Sequence, residues 1–260
     1  MPGALIVGSG LAGLAAAQEL SKDVHVTVID RLPAVGGSAG WRDPLVQSLE
    51  RACRRADVQF LLGTTALRWR DRQLLVAAPG DIRWLGADQL VCATGSRPAT
   101  PAELRLLGAR LAGVVSATVA RHLLEARVRL GWRPVIVGVG DWSEEIAGLL
   151  HAQAVAVRVV SRSEGERPPY ADEWWPGWRA AGVQGTGRVD EMTIERDGHR
   201  LRLLCDAVIL ADDPRPLRNI EGAVFGGEHV TYIQNVEPHI APETISAQAA
   251  EVVRRMRSMP

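Results

Sequence analysis

The sequence predicts an α/β protein built from two related units, the second inserted into the first. Three observations predict it. A strand, glycine turn and helix can be read over "GALIVGSGLAGLAAAQEL", Gly3–Leu20. A similar stretch, "RPVIVGVGDWSEEIAGLL", spans Arg133–Leu150. Shorter apolar segments then follow both stretches in the same order, as expected of an internal repeat.

The first unit opens on an apolar run, Ala4–Val7, followed by Gly8, Gly10 and Gly13. An alanine-rich helix runs to Leu20, and "DVHVTVID" reads as an alternating β-branched strand ending at Asp30. Strand, G-x-G-x-x-G, helix, strand and acid is the dinucleotide-binding arrangement. Gly8 permits the tight turn, Gly10 lets a pyrophosphate approach the backbone, and Gly13 lets the helix pack on the strand. The helix N-terminus supplies amide donors and the positive end of its dipole. Asp30 can accept hydrogen bonds from the two ribose hydroxyls of an adenosine. In this setting dinucleotide binding outweighs a merely structural glycine turn.

After the acid, "RLPAVGGSAGW" places Gly36 and Gly37 where the chain can pass close to a second part of a cofactor. "PLVQSLERACRRA" sets an apolar face against arginines and predicts an amphipathic helix. "DQLVCATGSRPATP" reads as a buried strand ending in Ala93, Thr94 and Gly95. Together these segments resemble the FAD site of the two-dinucleotide-domain flavoproteins, the thioredoxin-reductase and pyridine nucleotide-disulfide oxidoreductase superfamily. The resemblance implies two Rossmann-like FAD/NAD(P)-binding domains, with FAD held by Gly8, Gly10, Gly13, Asp30, Arg31, Gly36, Gly37, Thr94 and Gly95. In that family the acid binds the adenosine ribose and the G-G segment runs beside the diphosphate and ribityl chain. The A-T-G segment marks where the chain leaves the FAD domain.

The repeat sets the domain order. "LIVGSGLAGLAAAQEL" aligns with "VIVGVGDWSEEIAGLL", "VTVIDR" with "VRVVSR", and "DQLVCATGSRP" with "CDAVILADDPRP". The expected FAD-binding domain is 1–107 with 214–260, and 108–213 is the inserted NAD(P)-binding-like domain. "SATVARHLLEARVRL" predicts an amphipathic helix within the insert. The segment from Gly113 to Asp141 resembles more narrowly the flavoprotein subunits of hydrogen cyanide synthase, opine oxidase and dye-linked amino-acid dehydrogenases.

The second unit departs from the first. Gly138 and Gly140 keep two glycine positions, while Ser143 takes the third and the bulky Trp142 precedes it. Asp141 and Glu145 match part of a G-x-G-D-x-A-x-x-E pattern of thioredoxin-reductase-like NADPH domains. Ser161 and Arg162 stand where an acid would select a free 2′-hydroxyl, so NADP(H) is favoured over NAD(H) if a nicotinamide cofactor binds. The competing reading makes Arg162 a solvated arginine of a vestigial site. Asp212-Asp213 replaces the A-T-G counterpart. Near "VTYIQNVEPHI", where the resemblance places a G-D motif, stands Gln234-Asn235, and Asn235 becomes the candidate donor to the ribityl or diphosphate oxygens. "APETISAQAAEVVRRM" reads as a closing helix.

The remaining features bound the function. Thirty Lys and Arg balance thirty Asp and Glu, so no global field favours nucleic acid or an anionic membrane. No apolar run reaches the roughly 20 residues that span a bilayer, and a cytoplasmic location is expected. Cys53, Cys92 and Cys205 form no C-x-x-C and predict buried free thiols, with neither dithiol chemistry nor a zinc site. His122 and His151 fall on expected helices in structural roles. Trp174, Trp175 and Trp178 crowd "PPYADEWWPGWRAAG", expected to be a proline-bounded loop for domain packing or, second, partner binding. Trp41 is expected at the surface, with a place beside the isoalloxazine as the alternative.

No catalytic side chain is identified, so redox chemistry would belong to the flavin. The favoured function is an FAD-dependent oxidoreductase passing electrons between a pyridine nucleotide and an acceptor, a small-molecule substrate or redox partner protein. The alternatives are an electron-transfer subunit of a multi-subunit dehydrogenase, homo- or hetero-oligomeric, and a non-catalytic nucleotide-binding protein.

Overall fold

The computed structural model describes residues 3–212, 214–217, 229–233, 244, 247, 251, 253 and 254. The chain divides into two compact units, one running to Ser96 and resuming at Pro216, the other Arg97–Arg215. Unit 1 opens with β1 (Gly3–Val7), α1 (Leu11–Leu20), β2 (His25–Asp30), α2 (Pro44–Arg55) and β3 (Gln59–Leu62). An antiparallel meander follows, β4 (Thr65–Arg70), β5 (Gln73–Ala78) and β6 (Asp81–Gly86), before β7 (Gln89–Cys92) and β8 (Ser96–Arg97). Helix α2 starts where Asp43 caps it, its carboxylate accepting from Leu45 N at 2.9 Å and Val46 N at 3.0 Å, with Pro44 at the first position. It buries Val46, Leu49 and Cys53, one helical face, against α1 and the sheet.

Unit 2 repeats this order. It contains β9 (Val114–Ser116), α3 (Ala117–Glu125), β10 (Pro134–Val137), α4 (Asp141–Ala152), β11 (Arg158–Ser161) and β12 (Glu173–Pro176). The second meander is β13 (Arg179–Thr186), β14 (Arg188–Arg196) and β15 (His199–Leu204), and β16 (Ala207–Leu210) follows. Its parallel sheet has the order β12-β11-β10-β16-β9. Strand β17 (Arg215–Pro216) pairs with β8, and β18 (Val230–Tyr232) completes the parallel sheet of unit 1, order β18-β7-β1-β2-β3. In both units the strand that leads into the glycine turn, β1 or β10, is central, the next two lie to one side, and the meander interrupts the chain before it returns to the other. Such strands are covered on both faces, which is why β10 and β16 are apolar and buried at every position.

Three expectations change. The segment 97–107 belongs to unit 2, because Ala99, Leu104 and Leu106 are buried in its core and Leu107 N donates to the Ala181 carbonyl at 3.0 Å. The helix begun at Ala117 stops at Glu125, since Arg127 takes a left-handed φ of 59° and Val128 N closes on the Leu123 carbonyl at 2.8 Å. The tryptophan-rich stretch is two strands joined at Gly177, not a loop. Trp175 and Trp178 meet edge to face, centroids 6.0 Å apart, over the core that holds Met192 and Ile194, while Trp174 joins the core around Ile136. Of the closing helix, the described residues 244, 247, 251, 253 and 254 are helical and Val253 is buried.

Candidate functional site

The glycine turn of unit 1 is set by backbone contacts that leave no room for a side chain. Gly8 sits at φ 108°, and a Cβ there would lie 2.2 Å from the Ala93 carbonyl oxygen. A Cβ on Gly13 would lie 1.9 Å from the Gly8 oxygen, so helix and strand meet backbone to backbone. Gly8 N donates to Ile29 O at 2.9 Å and Ala93 N to Val7 O at 2.8 Å, tying the turn to both neighbouring strands. Thr94 and Gly95 therefore follow at the same end of the sheet; Gly95, at φ 75°, accepts from Leu217 N at 2.8 Å.

The Gly36-Gly37 segment returns to this turn. Gly36 N donates to the Ser9 carbonyl at 2.8 Å, and a Cβ on Gly37 would come 3.1 Å from Gly10 Cα. Gly36 and Gly37 have φ of 116° and 54°, values that favour glycine. Helix α1 begins at Gly10 with no side-chain cap and no acid in its first turn. Its leading N–H groups and dipole are thus available to an anion.

Asp30 ends β2 beside this turn. Its Oδ2 accepts from both Ser9 N and Ser9 Oγ at 2.7 Å, and its Oδ1 accepts from Leu32 N at 2.9 Å. Ser9 is wholly buried and was not singled out from sequence; its signal is a hydroxyl residue between the first two glycines. Arg31 is exposed beside Asp30. The structure thus brings Gly8, Gly10, Gly13, Asp30, Gly36, Gly37 and Thr94 to one end of one sheet, while Asn235 lies outside the described residues. Trp41 is 56% exposed, with the Arg42 guanidinium 4.8 Å from its ring centroid.

Unit 2 reproduces the turn and alters its surroundings. Gly138 has φ 114°, its N donates to Val160 O at 2.9 Å, and Ala211 N donates to Val137 O at 2.8 Å, mirroring Gly8 and Ala93. Gly140 differs from Gly10: its φ is 106° against −72°, and no atom lies within 4 Å of its Cβ direction. Ser143 is fully buried, its hydroxyl without a hydrogen-bond partner. Asp141 and Glu144 occupy the first turn of α4, and Asp212 stands against Gly138 where unit 1 has Thr94. Acids in a first helical turn stabilise the positive end of the helix dipole, and Asp141 is the acid of the partial G-x-G-D-x-A-x-x-E pattern.

The sugar end of unit 2 leaves little space beside Gly138. Ser161 is buried and accepts from Ser163 N at 2.9 Å, and Arg162 Nη2 donates to the Leu104 carbonyl at 2.8 Å. The cavity bounded by Val137, Gly138, Ser161, Arg162, Trp178 and Asp212 is about 10 Å³, room for about one water.

Sequence comparison matches the pyridine nucleotide-disulphide oxidoreductase family over residues 3–175. The chain belongs to this family. No curated protein matches the chain in sequence. Solved structures share the fold at low identity. A family oxidoreductase from Enterococcus faecalis V583 superposes with TM-score 0.74 at 16% identity, over 99% of this chain and 69% of that one. L-proline dehydrogenase from P. horikoshii gives TM-score 0.67 at 17% identity, over 98% of this chain and 55% of that one. Lactococcus lactis thioredoxin reductase gives 0.71 at 14%, over 99% and 98%. This chain is therefore little more than half the length of the proline dehydrogenase chain it matches.

Family membership does not bring dithiol chemistry into view. Cys53, Cys92 and Cys205 are free and buried, and burial pushes their thiols up to about 11, 12 and 11 respectively. Protonated buried thiols are poor nucleophiles. Among the described residues no group of His, Cys, Asp or Glu is placed to hold a metal, and no helix is long and apolar enough to cross a membrane.

Proposed function

We propose that the chain is an FAD-dependent oxidoreductase in which unit 1 holds the dinucleotide. The observation that carries this reading is the convergence of an uncapped, acid-free helix N-terminus, the Gly10/Gly36/Gly37 backbone approach and the Asp30 carboxylate at one end of the sheet. The α1 amides and Gly10 would seat the diphosphate, Asp30 the adenosine ribose, and Gly36-Gly37 and Thr94-Gly95 the chain leading to the flavin. The bound flavin supplies the redox chemistry; the residues of this chain bind, orient and exclude water. Unit 2 is the NAD(P)-binding-like domain on this reading, and a flavin held by unit 1 would supply the electron-transfer chemistry between a pyridine nucleotide and a small-molecule or protein acceptor. Three buried, unpaired thiols suit a reducing, cytoplasmic compartment.

A second reading is favoured by the little space beside Gly138 at the sugar end of unit 2. On it, the protein is a flavin-carrying electron-transfer subunit of a larger dehydrogenase. Anaerobic addition of NADPH and then NADH to the FAD-loaded protein separates the two. Bleaching of the flavin bands by either nucleotide supports the first reading. Bands untouched by both but bleached by dithionite support the second.

A further inference from the structure

Counting lone pairs on Asp30 gives a sharper statement about what unit 1 recognises. A carboxylate offers about four acceptor positions, two on each oxygen. Oδ2 takes two donors from one residue, the Ser9 amide and the Ser9 hydroxyl, both at 2.7 Å, short distances typical of charge-assisted bonds. Oδ1 takes the Leu32 amide at 2.9 Å. One acceptor position is left, on Oδ1, and Asp30 is only partly buried, so that position can be reached. A ribose with free 2′- and 3′-hydroxyls carries two donors.

We infer that Ser9 is a positioning residue that limits Asp30 to one ribose hydroxyl, so that the adenosine is read at a single hydroxyl and not at both. The inference rests on the proposed adenosine site of unit 1. Ser9 can do this because it is held from several sides. It is wholly buried, its carbonyl accepts from Gly36 N at 2.8 Å, and its amide and hydroxyl grip the same carboxylate oxygen. Turning Asp30 to free Oδ2 for sugar would leave both Ser9 donors without their acceptor, a cost that one sugar hydroxyl does not repay. The glycine turn and the end of β2 are thereby locked together before any ligand arrives, and Oδ1 is held in one orientation.

The test uses the full chain freed of flavin, its fold checked by circular dichroism, and calorimetric titration with ADP, 2′-deoxy-ADP and 3′-deoxy-ADP. One deoxy analogue is expected to bind as ADP does, within about twofold, and the other about tenfold or more weaker, the worth of one hydrogen bond to a charged group. In Ser9→Ala the freed position on Oδ2 becomes available, and the analogue tolerated by the wild type is expected to lose affinity relative to ADP as well. A general loosening of the turn would weaken all three ligands together and leave their ratios unchanged. Equal losses for both analogues in the wild type would overturn the role of Ser9 while leaving the adenosine site standing. If ADP itself fails to bind the folded chain, the site reading falls, and this inference falls with it.

Discussion

Gly13 and Ser9 show how unevenly single residues declare themselves. Gly13 was readable from sequence because its reason is steric and local: a methyl group there would meet the Gly8 carbonyl at 1.9 Å. Gly13→Ala should therefore force helix and strand apart, lowering stability by about 1–3 kcal/mol. Denaturant titration checks this, and a midpoint equal to wild type would mean that α1 shifts freely. Asp30 was legible too, but as a ribose acceptor only. Its second duty, accepting twice from Ser9, depends on where β2 ends relative to the turn, which residue spacing does not state. Arg162 is the converse case. Its charge and position suggest a phosphate ligand, and the fold adds a contact that spacing does not state: its Nη2 donates to the Leu104 carbonyl, 58 residues away in sequence.

At the scale of elements, helices and buried strands followed from apolar period and caps, while turns and meanders did not. The tryptophan-rich segment was misread because its prolines suggested a loop; the aromatic residues instead pair β12 with β11 and cover the core. The segment after β8 shows a second kind of hidden order. Arg97 grips Glu103 through two nitrogens at 2.7 and 2.8 Å, and Thr100 donates from its amide at 2.8 Å and hydroxyl at 2.9 Å to the same carboxylate. The Arg97 hydrogen bond, with the Thr100 amide second, holds the Glu103 carboxyl well below the usual range. A depressed folded value means that this stabilisation is fully present above the unfolded value of about 4.3 and fades as pH falls below it. Glu103→Gln should lower the melting temperature modestly at pH 7, the pair being partly exposed, and the gap from wild type should narrow in acid. A gap independent of pH would show that the carboxylate charge is not what holds the segment.

In each of the two units the plan is the same: a parallel sheet with β1 or β10 central, a glycine turn at the end of that strand, and a meander before the return strand. That plan was visible as a repeat in sequence. The inequality of the copies was visible in part, through Ser143, Ser161 and Asp212, and its physical content emerged only from the fold. Unit 1 offers an uncapped helix start free of acid and a half-satisfied carboxylate oxygen, whereas unit 2 has Asp141 and Glu144 in the first turn of α4, Asp212 against Gly138, and room for about one water beside Ser161. On the proposed function, unit 1 is the unit that holds the dinucleotide. The most direct check is the visible absorbance of the full chain after incubation with FAD and desalting, for wild type, Asp30→Ala and Ser161→Ala. The account predicts one retained flavin per chain in wild type and Ser161→Ala, with most of it lost in Asp30→Ala. A colourless wild-type protein, or equal flavin loss in the two variants, would contradict it.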